Sequence, residues 1–357
     1  METFDVPVHP FEAIPDPEAE TRQIQQIAGL TIELLKKRYP EGTQILRGVH
    51  AKSHGCVRAE FQVLPDLDAE RRVGLFKHPG KTFDAWIRFS NAAVLVEPDL
   101  KNGQNGSRGM AIKVLNAEGE FLYDDSGQKN QDFLMINTPA FAFANVTDYL
   151  RLTQILVKHN DDPAAFFAPL QMPVEGVTEK QKQRIARSFQ VLKEIQSQPV
   201  ANPLEVPYFS ASPFLFGGDR VMQFSVRPKG ELKEQVLPEA PTDNYLNEAL
   251  TASLALDQPI AFDFCVQVKG TENLEELQIE NATAAWDWSA GNCDIKTVAR
   301  ITIPAPQPEI NTPTYREECE KRLFTPWHSH KDHRPLGGIN RLRKMVYFAS
   351  AKHRGAN

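Results

Sequence analysis

The order of hydrophobic patterns along the chain limits its fold more than any other feature. Segments with the period-two or apolar patterns of β-strands form two groups, and stretches with helical spacing lie between the groups. Turn-forming pairs such as Asn102-Gly103 separate neighbouring strands, which favours antiparallel pairing. The strand-like segments are Ala59–Leu64, Phe83–Ser90, Gly109–Leu115, Asp132–Ile136, Val221–Arg227, Ile260–Val268 and Thr297–Ile303.

Helical spacing predicts four helices. The first follows Glu18 and ends before Pro40, and the last begins at Arg341. Between them lie Val146–His159, with Asn145 or Thr147 as its N-cap, and 179–196. The sequence therefore predicts an α+β fold with a largely antiparallel sheet and enough strands for a closed barrel.

Composition excludes several classes of protein. Lys plus Arg is 40 against 46 for Asp plus Glu, a net charge of −6, which disfavours binding to nucleic acid or anionic membranes. No stretch approaches the ~20 apolar residues that span a bilayer, and the N-terminus lacks the apolar core of a signal peptide. The cysteines at 56, 265, 293 and 319 form no CxxC pair, so we expect buried thiols and a cytoplasmic, reducing location.

Common catalytic motifs are absent. The sequence has no phosphate-binding loop, no GxGxxG after a strand, no GxSxG elbow and no HExxH, which disfavours the enzymes built on them. The segment Trp327–His333 contains three histidines and one Asp, and a metal site is one interpretation of it. A polar loop whose histidines lie on the surface or pack against neighbours is the other, and the spacing matches no common zinc pattern.

Three segments carry candidate site residues. His50 precedes a glycine-containing turn, while Arg88 and Ser90 share one face of a predicted strand and need polar partners if buried. In the last helix, Arg343 and Arg354 lie four residues before and seven after Tyr347, on one helix face. Two cations beside a phenol favour its anionic form, which is a ligand for ferric iron.

Several motifs, taken in order, resemble those of the catalase superfamily. They are RGVHAKSHG at 47–55, IRFSNA at 87–92, SRGMAIKVLNAEGE at 107–120, INTPAFAF at 136–143 and the R-x-x-x-Y that ends at Tyr347, with further matches over 208–228 and 286–304. The likeness is strongest to the short catalase-related haem proteins, some of which act on fatty-acid hydroperoxides. It runs from about residue 40 to the end and implies, over 41–357, a barrel with flanking helices that buries haem b against the C-terminal helix. Residues 1–40 have the pattern of an N-terminal arm and one helix.

The resemblance also implies roles on the distal side of the haem. His50 would be the distal base, which takes a proton from the peroxide and returns it to the leaving oxygen. Ser90 would hydrogen-bond the imidazole and fix its tautomer. Arg47 and Arg88 would hold the haem propionates, and Phe141 would pack near the distal face.

On the proximal side, the resemblance implies that Tyr347 ligates the haem iron. Arg343 and Arg354 would hold it as the phenolate, which assists cleavage of the O–O bond.

Two positions depart from the catalase pattern. Catalases carry two adjacent Asn before Thr-Pro, whereas this chain has Ile136 and Asn137, so Asn137 either serves as the distal amide or the amide is missing. The carboxylate that guides hydrogen peroxide in the family falls near Asn102, Asn105 or Gly106, and we expect none there.

The predicted function is therefore cleavage of a peroxide by haem, with an organic or fatty-acid hydroperoxide favoured as substrate. Val49, before the distal His, matches true catalases rather than the Thr of allene oxide synthases. The alternatives are a minimal catalase that degrades hydrogen peroxide, a non-catalytic haem carrier or sensor, and a haem-free barrel. A homo-oligomer is the family-level expectation for the assembly.

Overall fold

All of the strand-like segments form strands, which confirms the α+β prediction. The structure, a computed structural model, describes residues 8–123, 129–284, 286 and 295–356. Its strands are β1 (Ser53–Val63), β2 (Thr82–Asn91), β3 (Arg108–Val114), β4 (Gln131–Ile136), β5 (Tyr208–Phe209), β6 (Phe214–Leu215), β7 (Arg220–Pro228), β8 (Ile260–Gly270) and β9 (Ile295–Ile303). Its α-helices are α1 (Pro17–Arg38), α2 (Val146–Lys158), α3 (Glu179–Ser197), α4 (Tyr245–Leu254), α5 (Pro313–Lys321) and α6 (Gly338–His353).

Two short strands that the sequence did not predict, β5 and β6, complete the sheet. β5 pairs with β4 at Ile136 and Phe209, and with β7 at Tyr208 and Val226. These pairings close an eight-stranded antiparallel barrel in the order β1-β2-β3-β4-β5-β7-β8-β9, and β6 adds to β7 outside it. Strands of two residues are too short to show a periodic pattern, which is why the sequence did not predict them.

Phenylalanines fill the barrel. Phe133 lies at its centre, with ring centroids 4.6 Å from Phe264, 5.0 Å from Phe224 and 6.0 Å from Phe61. Aromatic pairs at these separations add to the stabilisation that burial provides. Because side chains alternate along a strand, the neighbours of these rings point to the outer face of the barrel.

Helices α1, α2 and α6 pack together on that outer face. Ile27 of α1, Val146 of α2 and Leu342 of α6 belong to one buried apolar cluster. Asn145 caps α2 and accepts a hydrogen bond from the Asp148 amide at 3.0 Å, as one of the two predicted caps. The helices therefore cover one side of the barrel. The predicted boundary between an N-terminal arm and helix (1–40) and the barrel domain (41–357) stays a prediction.

Three helix predictions were incomplete. α4 and α5 were not predicted, and α6 begins at Gly338 rather than Arg341. In α5 only Tyr315 and Cys319 are buried, so it lacks the apolar stripe that marks a helix in a sequence. Among the described residues, no helix is long and apolar enough to cross a membrane.

The cysteine prediction was wrong for two of the four residues. Cys56 on β1 and Cys319 on α5 form a disulfide, because the fold brings together residues that lie 263 positions apart. Cys265 is a buried free thiol, and Cys293 lies outside the described residues.

Candidate active site

A cavity of about 630 Å³ lies between the outer face of β2–β4 and helix α6. This volume falls within the ~300–1,000 Å³ usual for ligand and cofactor sites. All of the predicted site residues except Asn137 line it, namely Arg47, Val49, His50, Arg88, Ser90, Phe141, Arg343, Tyr347 and Arg354. The fold thus brings together segments from both ends of the chain.

His50 lies against the sheet in a left-handed backbone conformation, with φ of 56°. Such a conformation is uncommon for a residue other than glycine and is often found at functional sites. The imidazole Nδ1 is 2.9 Å from Ser90 Oγ, so Nε2 is the ring nitrogen available to a ligand. Burial, together with the positive charges of Arg88, Arg343 and Arg47, lowers the pKa of His50 to about 3. The imidazole is therefore neutral at physiological pH.

Gly109 has no side chain, and the His50 imidazole occupies the space that a Cβ would fill. A Cβ at this position would lie 2.8 Å from Ser90 Oγ and closer still to the imidazole. Ser90, Gly109 and Ile136 are direct partners across β2, β3 and β4 and therefore share the face of the sheet that lines the cavity. The sequence analysis did not identify Gly109 as a site residue.

Ile136, rather than Asn137, faces the cavity from β4. Asn137 is buried, and its Oδ1 accepts hydrogen bonds from the Arg108 amide at 2.7 Å and from Ser107 Oγ at 3.4 Å. The structure therefore does not bring Asn137 to the cavity, because adjacent residues of an extended chain point to opposite sides. The predicted catalytic role of Asn137 has no geometric support.

Tyr347 reaches the cavity from α6, beside Arg343. The phenol oxygen is 3.4 Å from Arg343 Nε, and the Arg343 guanidinium lies 5.4 Å from the Tyr347 ring centre and 5.5 Å from that of Phe141. Arg343 also donates to Asn340 Oδ1 at 3.2 Å, which holds its guanidinium in place. One of the two expected cations is therefore in contact with the phenol.

Arg354, the other expected cation, points elsewhere. It donates to the backbone oxygens of Glu320 and Arg322, at the end of α5, and no contact joins it to Tyr347. Seven residues of helix rise by about 10.5 Å, so two side chains on one helix face can still be too far apart to interact. The expectation that Arg354 stabilises the phenolate directly was wrong.

Arg354 instead belongs to an arginine cluster, which we define as Arg47, Arg88 and Arg354. One carboxylate, Glu320, serves this cluster: it pairs with Arg47 and accepts hydrogen bonds from Arg88 Nε and Nη2 at 3.2 Å each. Burial lowers the pKa of Arg88 to about 9 and that of Arg354 to about 10, and burial also lowers the pKa of Arg47. Three cations beside one carboxylate leave two positive charges without a described anion.

Two carboxylates line the cavity, although none stands at the positions near Asn102, Asn105 and Gly106 where the family pattern would place one. They are Glu97 and Asp99, which precede the positions where a carboxylate was sought. Asp99 pairs with Lys52 at 2.7 Å and accepts from Asn91 Nδ2 and the Leu246 amide at 3.0 Å each. Glu97 and Asp99 lie in the loop that follows β2. The sequence does not show that this loop folds over the cavity.

The three histidines of Trp327–His333 have separate partners. His328 Nδ1 is 3.0 Å from Asp132 Oδ2, His330 Nδ1 accepts from the Asp332 amide, and His333 Nε2 accepts from the Leu75 amide. The described part of the chain contains no group of three or more side chains placed to hold a metal ion. The geometry favours the interpretation of a structural loop.

This architecture, a closed eight-stranded antiparallel barrel flanked by helices, is that of the catalases. A fungal catalase is 17% identical with a TM-score of 0.66, over 88% of this chain and 60% of that one. Catalase A from Saccharomyces cerevisiae is 16% identical with a TM-score of 0.66, over 88% and 62%. A bacterial catalase is 17% identical with a TM-score of 0.61, over 98% and 64%.

The chain thus has a catalase-like fold, and it spans less than two thirds of the length of these catalases. At 16–17% identity the likeness shows the fold alone. The sequence matches no family model and no curated protein.

Proposed function

We propose that this chain binds haem b in the cavity between the barrel and α6 and uses it to cleave the O–O bond of a peroxide. One observation carries the proposal: a phenol from α6 and a neutral imidazole from the barrel side line the same cavity, beside a buried cluster of excess positive charge. Tyrosine is the axial ligand of haem in catalases, so Tyr347 is the proposed iron ligand.

The charges that line the cavity fit this cofactor. The arginine cluster and Glu320 together carry a charge of +2, since three guanidiniums face one carboxylate. The two propionates of haem b would neutralise this excess, and guanidinium groups bind carboxylates through paired hydrogen bonds. Uncompensated buried charge is costly, which gives the site a physical reason to take up a dianionic ligand.

The chain's own residues can then move the proton that the reaction requires. Bound haem supplies the redox chemistry at iron. His50, neutral above about pH 4, accepts the peroxide proton at Nε2 and returns it to the leaving oxygen. Ser90 holds Nδ1 and so sets the orientation of the ring.

An apolar distal face supports an organic hydroperoxide as the substrate. Ile136 lines the cavity beside Gly109, and Leu134 of β4 together with Leu192 and Ile195 of α3 extends the apolar surface. An alkyl chain would bury its apolar surface against these side chains. A cytoplasmic location and a homo-oligomeric assembly stay predictions.

The test compares absorption spectra of protein produced with a haem precursor. We expect a Soret band in the wild type that is shifted or lost in Tyr347→Phe, because the axial phenolate is removed. Tyr149→Phe is the matched control: Tyr149 is partly buried and lines the same cavity, and burial raises its pKa to about 12, so its loss should leave the spectrum unchanged.

A wild type without a Soret band would overturn the proposal and leave a haem-free barrel. A Soret band with rapid oxygen release from hydrogen peroxide, and no turnover of a fatty-acid hydroperoxide, would instead favour a minimal catalase. If His50→Ala left every peroxide reaction unchanged, the chain would be a haem carrier or sensor.

A further inference from the structure

The last turn of α5 holds the whole arginine cluster. Arg47 donates to the backbone oxygens of Cys319 at 3.4 Å and of Arg322 at 2.8 Å, in addition to its pair with Glu320. Arg354 donates to the backbone oxygens of Glu320 and Arg322, and Arg88 binds the Glu320 carboxylate. The free carbonyls at the C-terminal end of a helix carry partial negative charge and are natural partners for cations. The position of this turn therefore sets the position of all three guanidiniums.

Few contacts hold α5 itself. Of its nine residues, only Tyr315 and Cys319 are buried, and the Tyr315 ring lies 5.3 Å from that of Trp86 on β2. A helix of nine residues is not stable by itself in water, so its place depends on these attachments.

One attachment of α5 is covalent and lies at the cluster. Cys319 immediately precedes Glu320, and its disulfide partner Cys56 is the residue of β1 that pairs directly with Arg88 of β2. The disulfide thus joins the strand pair that presents Arg88 to the helix turn that binds all three arginines.

We propose that the Cys56–Cys319 disulfide positions the arginine cluster through the last turn of α5, so that its redox state sets how tightly the acidic edge of the cofactor is held. This inference rests on the proposed function, because it requires haem as the ligand. In the reduction, a dithiol becomes a disulfide while Cys56 and Cys319 each become a thiol, a balanced transfer of two electrons and two protons. α5 then loses its covalent link to β1, and its last turn is held by non-covalent contacts alone, so the arginines have a less firmly fixed partner.

The experiment measures the rate at which haem transfers from the holoprotein to excess apomyoglobin, before and after treatment with a small dithiol. A thiol count verifies reduction, and near-ultraviolet circular dichroism verifies that the barrel is intact. We expect about a tenfold faster release after reduction, the factor that loss of one charge-assisted hydrogen bond brings. The double variant Cys56→Ser with Cys319→Ser should release haem at the fast rate without reductant.

Two controls separate this effect from others. Cys265→Ser removes a buried thiol of β8, two strands away from β1, and should behave as the wild type does. The dithiol should not change the rate of the double variant, which excludes direct attack on the haem. Should the double variant fail to fold, reduction of the wild type still tests the proposal.

Several results would overturn the inference. The first two are a thiol count that does not rise on reduction and an unchanged rate of haem release from the reduced protein. The others are a dithiol that accelerates haem release from the double variant as much as from the wild type, and loss of the near-ultraviolet circular dichroism signal on reduction. Absence of haem from the wild type would be the failure of the proposed function instead, so the two failures are distinguishable.

Discussion

At the scale of single residues, the site depends on where one imidazole can lie. His50 takes up a left-handed backbone conformation and rests on Gly109, where no Cβ competes for space. Ser90 then engages Nδ1, and burial among cationic groups keeps the ring neutral. A glycine inside a strand is usually unfavourable, so its presence here has a local reason.

Gly109→Ala is expected to displace the His50 imidazole while haem still binds. We expect peroxide turnover to fall by about 10²-fold or more, the usual contribution of a general acid–base residue, with the Soret band retained. The measurement is steady-state turnover at matched haem content. Gly29→Ala, whose new Cβ would have no atom within 4 Å, is the control and should leave turnover unchanged. Equal turnover in Gly109→Ala would show that His50 is not the proton carrier.

Ile136→Asn tests whether the missing distal amide determines the choice of peroxide. An amide beside His50 would give hydrogen peroxide a polar partner, and we expect the ratio of hydrogen peroxide to organic hydroperoxide turnover to rise by about tenfold. Leu134→Asn places the same amide two residues earlier on the same face, beside Ala111, and should change the ratio little. A ratio unchanged in Ile136→Asn would mean that another feature selects the substrate.

At the scale of secondary-structure elements, the strands beside His50 could be predicted from the sequence, whereas the helix that binds the arginine cluster could not. Strands β2, β3 and β4 have clear patterns, and their register alone aligns Ser90, Gly109 and Ile136. α5 has almost no apolar periodicity, yet its last turn supplies Glu320 and the carbonyls that bind the arginine cluster. Functional contacts made by an exposed, short helix leave no hydrophobic signal.

Glu320→Gln is expected to destabilise the apoprotein. Its carboxylate is the one described anion beside the three arginines of the cluster, and breaking a largely buried ion pair costs about 3 kcal/mol in the free energy of unfolding. Urea unfolding of the apoprotein measures this value. Glu317→Gln removes an exposed carboxylate of the same helix that pairs with Lys321, and no change is expected there. Equal stability of both variants would show that Glu320 does not neutralise the cluster.

At the scale of the whole molecule, burial of neutral histidines makes stability depend on pH. Burial lowers the pKa of His54 to about 4 and that of His333 to about 3, whereas the unfolded chain titrates near 6.5. As pH falls below 6.5 the unfolded state therefore binds protons that the native state does not. The free energy of unfolding must then decrease with falling pH, down to the native pKa values.

We expect His54 to account for a loss of about 2 kcal/mol in the free energy of unfolding between pH 7 and pH 5. His54→Gln can still donate to Asn91 Oδ1, as His54 Nε2 is placed to do at 2.9 Å, but it cannot take up a proton in the unfolded chain. Urea unfolding at the two pH values should therefore show a loss about 2 kcal/mol smaller in the variant than in the wild type. Equal losses would contradict the assignment.

Sequence alone determined seven of the nine described strands, four of the six described α-helices, the α+β class and most of the candidate site residues. These follow from local periodicity and from motifs that are continuous in the chain, as at Arg47–His50 and Arg88–Ser90. Resemblance to catalases supplied the expected barrel, which the structure confirms.

Only the tertiary structure decided the remaining contacts. It placed Ile136 rather than Asn137 at the cavity, moved Arg354 from Tyr347 to the arginine cluster, and joined Cys56 to Cys319. The physical reason is common to all three. Side-chain direction and long-range contact depend on strand register, helix rise and chain closure over hundreds of residues, and none of these has a local signature in the sequence.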